Sequence, residues 1–174
     1  MRIITTPMCE DILKIANLED YEVVNVKDIA NADIVVTLSE TEVNMPKISV
    51  KLNTYSQLLD SINTVSSKFS TECDEDSLNE IKLLIDENNK KKYKRRNIKV
   101  KVYSNFLRDT VEDMGFSISE DNYDYIVIPD YMKENFDESE KIVIVPSHKN
   151  VSANIIERIE KRYQLLECKL CTKQ

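Results

Sequence analysis

The chain has 174 residues, 41% hydrophobic and 32% charged, with a formal net charge of −7 and a single glycine. This length suits one ordinary domain or two small lobes of a globular protein. The acidic balance disfavours a general nucleic-acid binder, no apolar run reaches the roughly 20 residues that span a bilayer, and one glycine cannot build a phosphate-cradling loop.

The first part of the chain, residues 1–70, predicts one Rossmann-like α/β half. Its short β-branched runs are bounded by polar or turn residues and predict four strands, RIITT, YEVV, DIVVTL and KISVKL. A first helix is predicted with Thr6 as N-cap and Pro7 as its first residue. The closing helix is predicted in TYSQLLDSINTVSSKF. The inward positions of these two helices have helical spacing and are Cys9, Ile12, Leu13, Ala16, Tyr55, Leu58, Leu59, Ile62 and Val65.

A linking helix is predicted in residues 71–96, within SLNEIKLLIDENNKKKYKRR. Ser77 and Glu80 form a predicted capping box. Its predicted buried stripe comprises Leu78, Ile81, Leu84 and Ile85. The basic end is expected to be a solvated helix terminus or, alternatively, a surface for an acidic protein partner, and it comprises Lys90, Lys91, Lys92, Lys94, Arg95 and Arg96. Nucleic acid is disfavoured as the partner because the rest of the molecule would repel it.

The second part, residues 97–167, repeats the order of the first. IKVKVY, FSIS, YDYIVIP and KIVIVP predict the corresponding strands, and the aligned phrases set Asn31 beside Asn122, Asp33 beside Asp124 and Ile48 beside Ile142. Nearly continuous apolar strands between amphipathic helices predict parallel sheets covered on both faces. The predicted fold is therefore α/β, with two Rossmann-like parallel-sheet halves, interpreted as an internal duplication, joined by the linking helix.

Two helices are predicted in the second half. In SNFLRDTVEDMGF, Ser104 or Asn105 can cap the first, and Gly115 supplies a left-handed stop. The second is VSANIIERIEKRYQLL, followed by a cysteine-containing tail at 168–174. The inward positions of the two are Leu107, Thr110, Val111, Met114, Ile155, Ile159, Tyr163 and Leu166.

Polar residues follow the predicted strands, where ligands bind to open parallel sheets because loops and helix N-termini converge there. They are Thr6, Ser39, Asn53, Thr54, Ser104, Asn105, Asp130, Ser147 and His148. These hydroxyl and amide groups suit a small polar or anionic molecule held between the strand-end loops. The alternative is that they only cap helices, since such residues also occur at the helix N-termini of proteins that bind nothing.

The cysteines and the single histidine give weaker predictions. Cys9 lies near a helix N-terminus, but Glu10 and Asp11 disfavour a thiolate, and its apolar face favours a core role. Cys168 and Cys171 form one CxxC pair, which falls short of the about four ligands of a typical zinc site. His148 follows a strand, where a general acid or base is found, yet no nucleophile motif accompanies it. Without an export signal, the thiols are expected to be reduced and the protein cytoplasmic.

Two resemblances accompany these residues. NADIVVTLSE resembles the third strand of many Rossmann-like proteins, and the paired halves are similar in outline to periplasmic-binding-type folds. The opening MRIITTPMCEDIL, together with the Ile-, Lys- and Asn-rich, Gly-poor composition, resembles small uncharacterised proteins of methanogenic archaea. That resemblance implies a cytoplasmic protein of anaerobic metabolism and assigns no catalytic residues.

Three functions compete on this basis. Non-catalytic binding of a small polar or anionic metabolite or cofactor ranks first. A protein-interaction or assembly subunit in anaerobic metabolism ranks second, and thiol or metal chemistry through Cys9, Cys168 and Cys171 ranks third. An ordinary enzyme is disfavoured because the chain offers no paired carboxylates, nucleophile motif or glycine loop in a recognisable context.

Overall fold

The structure, a computed structural model, describes residues 1–136, 141–147 and 152–171. The chain divides into two compact units, Met1–Leu83 and Leu84–Gln174. The division falls inside one long helix, α3 (Glu75–Arg95).

The first unit is a parallel four-stranded sheet with helices. Its elements are β1 (Ile3–Thr5), α1 (Glu10–Ile15), β2 (Glu22–Val23), β3 (Ile34–Leu38), β4 (Lys47–Val50) and α2 (Tyr55–Phe69), with a short 3-10 segment at Val26–Asp28. The strand order is β2-β1-β3-β4, and every neighbouring pair is parallel.

The second unit repeats this topology. Its elements after α3 are β5 (Lys99–Val102), α4 (Asn105–Met114), β6 (Ser117–Ile118), β7 (Tyr125–Pro129), β8 (Ile142–Val145) and α5 (Ile155–Cys171), with a 3-10 segment at Asp130–Asn135. The strand order is β6-β5-β7-β8, again all parallel. The predicted α/β fold with two Rossmann-like halves is confirmed.

Two aspartates occupy equivalent places in the two sheets. The Asp33 carboxylate accepts a hydrogen bond from the Arg2 backbone N–H at 2.6 Å, and the Asp33 N–H donates to the Arg2 carbonyl at 2.9 Å. Asp124 makes the same pair of bonds to Lys99, both at 2.8 Å. The side chain thus satisfies a backbone donor at the start of the first strand of each unit. The alignment of Asp33 with Asp124 is therefore correct.

The alignment of Ile48 with Ile142 is wrong by one residue. Ile48 pairs with Val36 in the first sheet, whereas the counterpart of Val36, Val127, pairs with Val143. Burial agrees, because Ile48 and Val143 are buried while Ile142 is only half-buried. Successive strand residues face opposite sides, so a slip of one residue exchanges the two faces. The apolar run IVIV lacks the alternation that would have fixed the register.

Several helix starts differ from the sequence expectations. The helix α1 begins at Glu10 with Cys9 as N-cap, not at Pro7 with Thr6 as cap. The residue that caps the start of α3 is Asp74, whose carboxylate accepts from the Ser77 N–H at 2.9 Å, so the predicted Ser77–Glu80 box does not form. A carboxylate one turn earlier is an equally good N-cap and places Ser77 inside the helix.

Gly115 ends α4 as predicted, with φ +87°. A Cβ built on it would lie 2.8 Å from the Cβ of Lys92 in α3. The left-handed conformation and this close approach both require glycine.

The helix α3 buries less apolar and more polar surface than predicted. Ile81 is fully buried, but Leu78, Leu84 and Ile85 are only half-buried. By contrast, Arg95 is only 3% exposed. The sequence predicts Arg95 as part of the solvated basic end, and its burial shows that this prediction is wrong.

Arg95 is buried because its guanidinium group finds partners within the second unit. It donates to Asn88 Oδ1 at 2.7 Å and to the Met114 carbonyl at 2.9 Å, and it forms an ion pair with Glu167 at 2.5 Å. Asn88 in turn donates to Asp113, which also accepts from the Tyr163 hydroxyl at 2.6 Å. This network ties α3, α4 and α5 together, and its charge-assisted hydrogen bonds and ion pair compensate for burying the guanidinium group.

Candidate functional site

The strand order places the candidate site within each unit. In the first sheet the order reverses between β1 and β3, and in the second between β5 and β7. Ligands of open α/β sheets bind outside the carboxyl ends of the strands at such a point. The candidate site residues are therefore those that follow these strands and their neighbours β4 and β8.

At this edge of the first unit the polar groups are largely engaged locally. Thr6 is only 3% exposed. Ser39 is exposed, but its hydroxyl donates to Glu40 at 2.5 Å, and its carbonyl accepts from Lys47 at 2.9 Å. The buried Thr37 hydroxyl has no hydrogen-bond partner among the described residues.

Asn53 and Thr54 serve the start of α2. The Thr54 hydroxyl accepts from the Gln57 N–H at 3.1 Å, and the Gln57 side chain accepts from the Asn53 N–H at 3.1 Å. This reciprocal arrangement is a helix cap of the capping-box type. It favours the capping alternative for these two residues.

In the second unit, the structure brings two of the predicted residues together. The Ser147 hydroxyl, after β8, donates to the Asp130 carboxylate, after β7, at 2.5 Å. Ser104 is the N-cap residue of α4 without making a side-chain cap bond, and its buried hydroxyl finds no partner in the part of the chain that is described. Asn105 is exposed. The predicted residue His148 lies outside the described residues.

A cavity of about 230 Å³ lies beside this edge, at the carboxyl end of β8 and against α5. We call it the β8 cavity. Its walls combine apolar side chains with three cationic ones and comprise Val145, Pro146, Ser152, Arg158, Lys161, Arg162 and Leu165. The volume is slightly below the range of about 300–1,000 Å³ for drug-sized ligands, so it suits a small molecule.

The two arginines in the wall, Arg158 and Arg162, are buried, and each is only 9% exposed. Arg158 donates to the carbonyls of Ser152 at 2.9 Å and Ala153 at 3.2 Å. The guanidinium carbon of Arg162 lies 5.1 Å from the centre of the Phe106 ring, a cation–π distance. Both guanidinium groups are therefore held in place by neighbouring backbone or aromatic groups.

Burial affects the ionisation of Arg162. Desolvation lowers the pKa of its guanidinium to about 10, and the nearby charge of Arg158 also lowers this pKa. The side chain still carries its charge at neutral pH. The lowered pKa means that the charged form is poorly solvated where it stands, a condition that a bound anion would relieve.

Sequence reasoning missed the three cations of this cavity. Arg158, Lys161 and Arg162 are spaced i, i+3 and i+4, which puts them on one side of a helix. Charged residues beside an apolar stripe are usually solvated, so the sequence alone does not single them out. Their clustering directly after a predicted strand-end loop was the available signal.

The cysteines do not gather into a reactive site in the described structure. Cys9 is fully buried, and Cys168 and Cys171 belong to α5 rather than to a separate tail. Burial raises the pKa of the Cys171 thiol, and the negative charge of Glu167 raises it as well, which disfavours a thiolate. Within residues 1–136, 141–147 and 152–171, no group of three or more His, Cys, Asp or Glu side chains is placed to hold a metal ion.

Within the described ranges, no helix combines the length and the apolar character needed to cross a bilayer.

One family of sequences resembles the second unit. Residues 96–170 match the MJ0786 family C-terminal domain, which covers less than half of the chain. No curated protein matches the sequence. The match begins after α3, lies wholly within the second unit and includes the residues that line the β8 cavity.

Solved structures with the same fold are more numerous. The Ni²⁺ complex of the SBP FpvC from Pseudomonas aeruginosa has a TM-score of 0.67 at 12% identity and covers 100% of this chain and 98% of its own. The laminin-binding protein Lbp of Streptococcus pyogenes has a TM-score of 0.68 at 11% identity, covering 97% and 98%. The Zn(II)-bound AdcAII H205L variant of Streptococcus pneumoniae has 0.59 at 11%, covering 98% and 99%. At these identities the similarity concerns the fold alone.

Proposed function

We propose that this protein binds a small polar or anionic molecule, without catalysis, in the β8 cavity of its second unit. The observation that carries the proposal is the position of this cavity at the carboxyl end of a parallel strand. Loops and helix ends converge there, and polar groups can be presented to a ligand. The neighbouring Ser147–Asp130 hydrogen bond fixes the ends of β7 and β8 beside it.

The similar structures raise the possibility of a metal ligand, because two of them are complexes with Ni²⁺ and Zn(II). This chain gives that ligand little support in its described residues, where no cluster of three metal-ligating side chains occurs. Divalent metal ions therefore belong in the test as a competing class of ligand.

The test is thermal unfolding of the full chain with a panel of organic anions, neutral metabolites, organic cations and divalent metal ions. A ligand at about 100 times its dissociation constant stabilises the folded state by roughly 2.7 kcal/mol. We expect at least one small molecule to raise the melting temperature. Absence of any shift across the panel would contradict the proposal.

A pair of leucine variants locates the binding site. Leu165→Trp should fill the β8 cavity and abolish the shift, whereas Leu83→Trp, at a leucine that is 64% exposed, should leave it intact. Equal shifts in the two variants would place the ligand elsewhere in the molecule. A shift given by Zn²⁺ or Ni²⁺ alone would favour the metal-binding alternative.

A second candidate function, docking of an acidic protein partner, rests on the basic end of α3. Lys90, Lys91, Lys94 and Arg96 are exposed, and the Arg96 guanidinium lies 4.2 Å from the centre of the 69%-exposed Tyr93 ring. Arg95 is excluded from this surface by its burial, and Lys92 is within 3.5 Å of Asp113. Reversing Lys91, Lys94 and Arg96 to glutamate should release a partner captured from native extract. Retention of that partner would end this alternative. The cytoplasmic location stays a prediction.

A further inference from the structure

We infer that the ligand of the β8 cavity is a small organic anion, a carboxylate or phosphate on an apolar body, and that Arg162 and Arg158 bind its charged group. The inference rests on the proposed function and specifies the class of ligand. The wall of the cavity divides accordingly into a cationic side from α5 and an apolar side from Val145, Pro146 and Leu165.

The first argument is the concentration of positive charge on one side of α5. Arg158, Lys161 and Arg162 all line the cavity. The two arginines are more than nine-tenths buried, so their interactions with an anion are screened less by water than those of surface cations. A guanidinium group also presents paired N–H donors that match carboxylate and phosphate oxygens.

The second argument is that these cations are pre-positioned. Backbone carbonyls of Ser152 and Ala153 accept hydrogen bonds from Arg158, and the Phe106 ring lies under Arg162. Side chains that are already ordered lose little conformational entropy when a ligand binds. Lys161 is different, because it is mostly exposed and pairs with Glu157 at 2.6 Å. We therefore assign it a peripheral contribution.

The third argument comes from the first unit, which has the same topology. The five buried positions of α2 have the same spacing as five of the eight buried positions of α5; they are Tyr55, Leu58, Ser61, Ile62 and Val65 in α2, and Ile156, Ile159, Arg162, Tyr163 and Leu166 in α5. In this alignment Ser61 corresponds to Arg162. The Ser61 hydroxyl bonds both the N–H and the carbonyl of Lys51, each at 3.0 Å, and joins α2 to the end of β4.

The N–H half of that connection cannot form at the equivalent position of the second unit. The counterpart of Lys51 is Pro146, because Val50 pairs in β4 as Val145 does in β8. Proline has no N–H to donate. In this alignment Arg162 replaces the small hydroxyl of Ser61, and Pro146 replaces Lys51, whose backbone N–H is the donor. The second unit keeps a charged cavity at a position that the same fold can close.

The experiment uses three probes of similar shape, benzoate, phenyl phosphate and the neutral benzamide, titrated calorimetrically into the full chain. We expect one or both anions to bind and benzamide to bind about tenfold or more weakly, because it lacks the charge that the arginines recognise. Binding of benzamide equal to that of benzoate would overturn the inference.

Variants test the assigned residues. Arg162→Gln should weaken anion binding by about 10- to 100-fold, as expected for loss of a charge-assisted hydrogen bond. Lys169→Gln removes the same charge from an exposed position of α5 and should change the affinity by less than about twofold. Equal affinities of Arg162→Gln and the unaltered protein would overturn the assignment.

Two further variants guard against loss of folding. Arg162→Lys keeps the charge without the paired donors, and Arg158→Gln removes the second cation while Arg162 stays. Each should fold, as judged by circular dichroism and a cooperative melting curve, and each should bind the anion more weakly than the unaltered protein. Undiminished affinity in both would contradict the inference.

The failures of the inference and of the proposed function are distinguishable. If a neutral or cationic compound binds in a manner abolished by Leu165→Trp while no anion binds, the anion inference is wrong and the binding function stands. If no compound of any class binds, both are overturned.

Discussion

The two units share one framework and differ in what they bury. Both sheets have the same strand order, and Asp33 and Asp124 form the same pair of backbone hydrogen bonds. In the first unit, the buried polar side chains are hydroxyl-bearing residues such as Thr5, Thr6 and Ser61. Every buried charged side chain in the described ranges, namely Arg95, Arg158 and Arg162, belongs to the second unit.

The difference indicates where the fold has been adapted. Burying a charge is unfavourable unless partners compensate, so arginines in the interior of a small unit need a specific reason. For Arg95 the reason is structural, because its network joins three helices. For Arg158 and Arg162 the reason we propose is a ligand. The first unit shows that the framework itself requires neither.

The largest expected effect is that of Arg95→Met. Removing the guanidinium takes away the donor to Asn88 Oδ1 and to the Met114 carbonyl and the ion-pair partner of Glu167. Breaking a buried charge network costs about 3–5 kcal/mol. Urea denaturation measures the free energy of unfolding. Arg96→Met, at the exposed neighbouring position, is the control and should change it by less than about 1 kcal/mol. Similar values for the two would mean that the network contributes little.

A second test compares equivalent core positions of the two units. Leu58 and Ile159 are both fully buried and correspond in the spacing of α2 and α5. Leu58→Ala and Ile159→Ala should each lower the free energy of unfolding by about 2–5 kcal/mol because each leaves a cavity. Denaturation curves of the two variants check the equivalence. If either variant loses almost no free energy of unfolding, the alignment of α2 with α5, in which Ser61 corresponds to Arg162, is contradicted.

The paired aspartates should give a smaller effect. Asp33→Ala and Asp124→Ala each remove an acceptor from a backbone N–H at the start of the first strand of a unit. Both bonds are solvent-exposed, so we expect each variant to lose about 1 kcal/mol. Hydrogen exchange at Arg2 and Lys99 should accelerate in the corresponding variant only. Unequal losses would show that the two units have diverged here as well.

Of these variants, Arg162→Met is expected to change the free energy of unfolding least, at neutral pH and with no ligand bound. The favourable removal of a desolvated charge is offset by the lost contact with Phe106, so stability should stay within about 1 kcal/mol of the unaltered protein. The pH dependence is more informative. Burial lowers the folded-state pKa of Arg162 to about 10, so above that pH the unfolded chain, in which the guanidinium keeps its ordinary higher pKa, binds more protons.

This difference in bound protons determines whether the stability rises or falls with pH. The unfavourable contribution of Arg162 is fully present below about pH 10 and diminishes as the pH rises above it, because stability increases with pH where the unfolded state binds more protons. The stability of the unaltered protein relative to Arg162→Met should therefore rise between pH 9 and pH 11, on the order of 1 kcal/mol. A constant difference would show that Arg162 is well solvated.

Much of the fold was predictable because its signals are local. Short β-branched runs between amphipathic helices specify strands and helices, and Gly115 marks the end of α4. The alignment of Asp33 with Asp124 was predictable from the shared phrase around them. The register of β8 was not, because a run of four β-branched residues looks alike from both faces.

The candidate site was only partly predictable. The rule that ligands bind at strand carboxyl ends led to Asp130 and Ser147, which do meet. The rule gives no means of choosing Arg158 and Arg162, because the burial of these helix residues depends on packing that the sequence does not display, such as the contact of Arg162 with Phe106. The burial of Arg95 is hidden in the sequence for the same reason, since the Met114 carbonyl and Glu167 are distant along the chain.

The contact between Gly115 and Lys92 has a consequence for how this sequence can vary. Any other residue at 115 would adopt a strained backbone and would also push against the main chain of α3, since its Cβ would come within 2.9 Å of the Lys92 Cα. In a saturation-mutagenesis library screened for folded protein, position 115 should accept glycine alone. Lys92, whose own side chain points past this contact to Asp113, should still accept alanine.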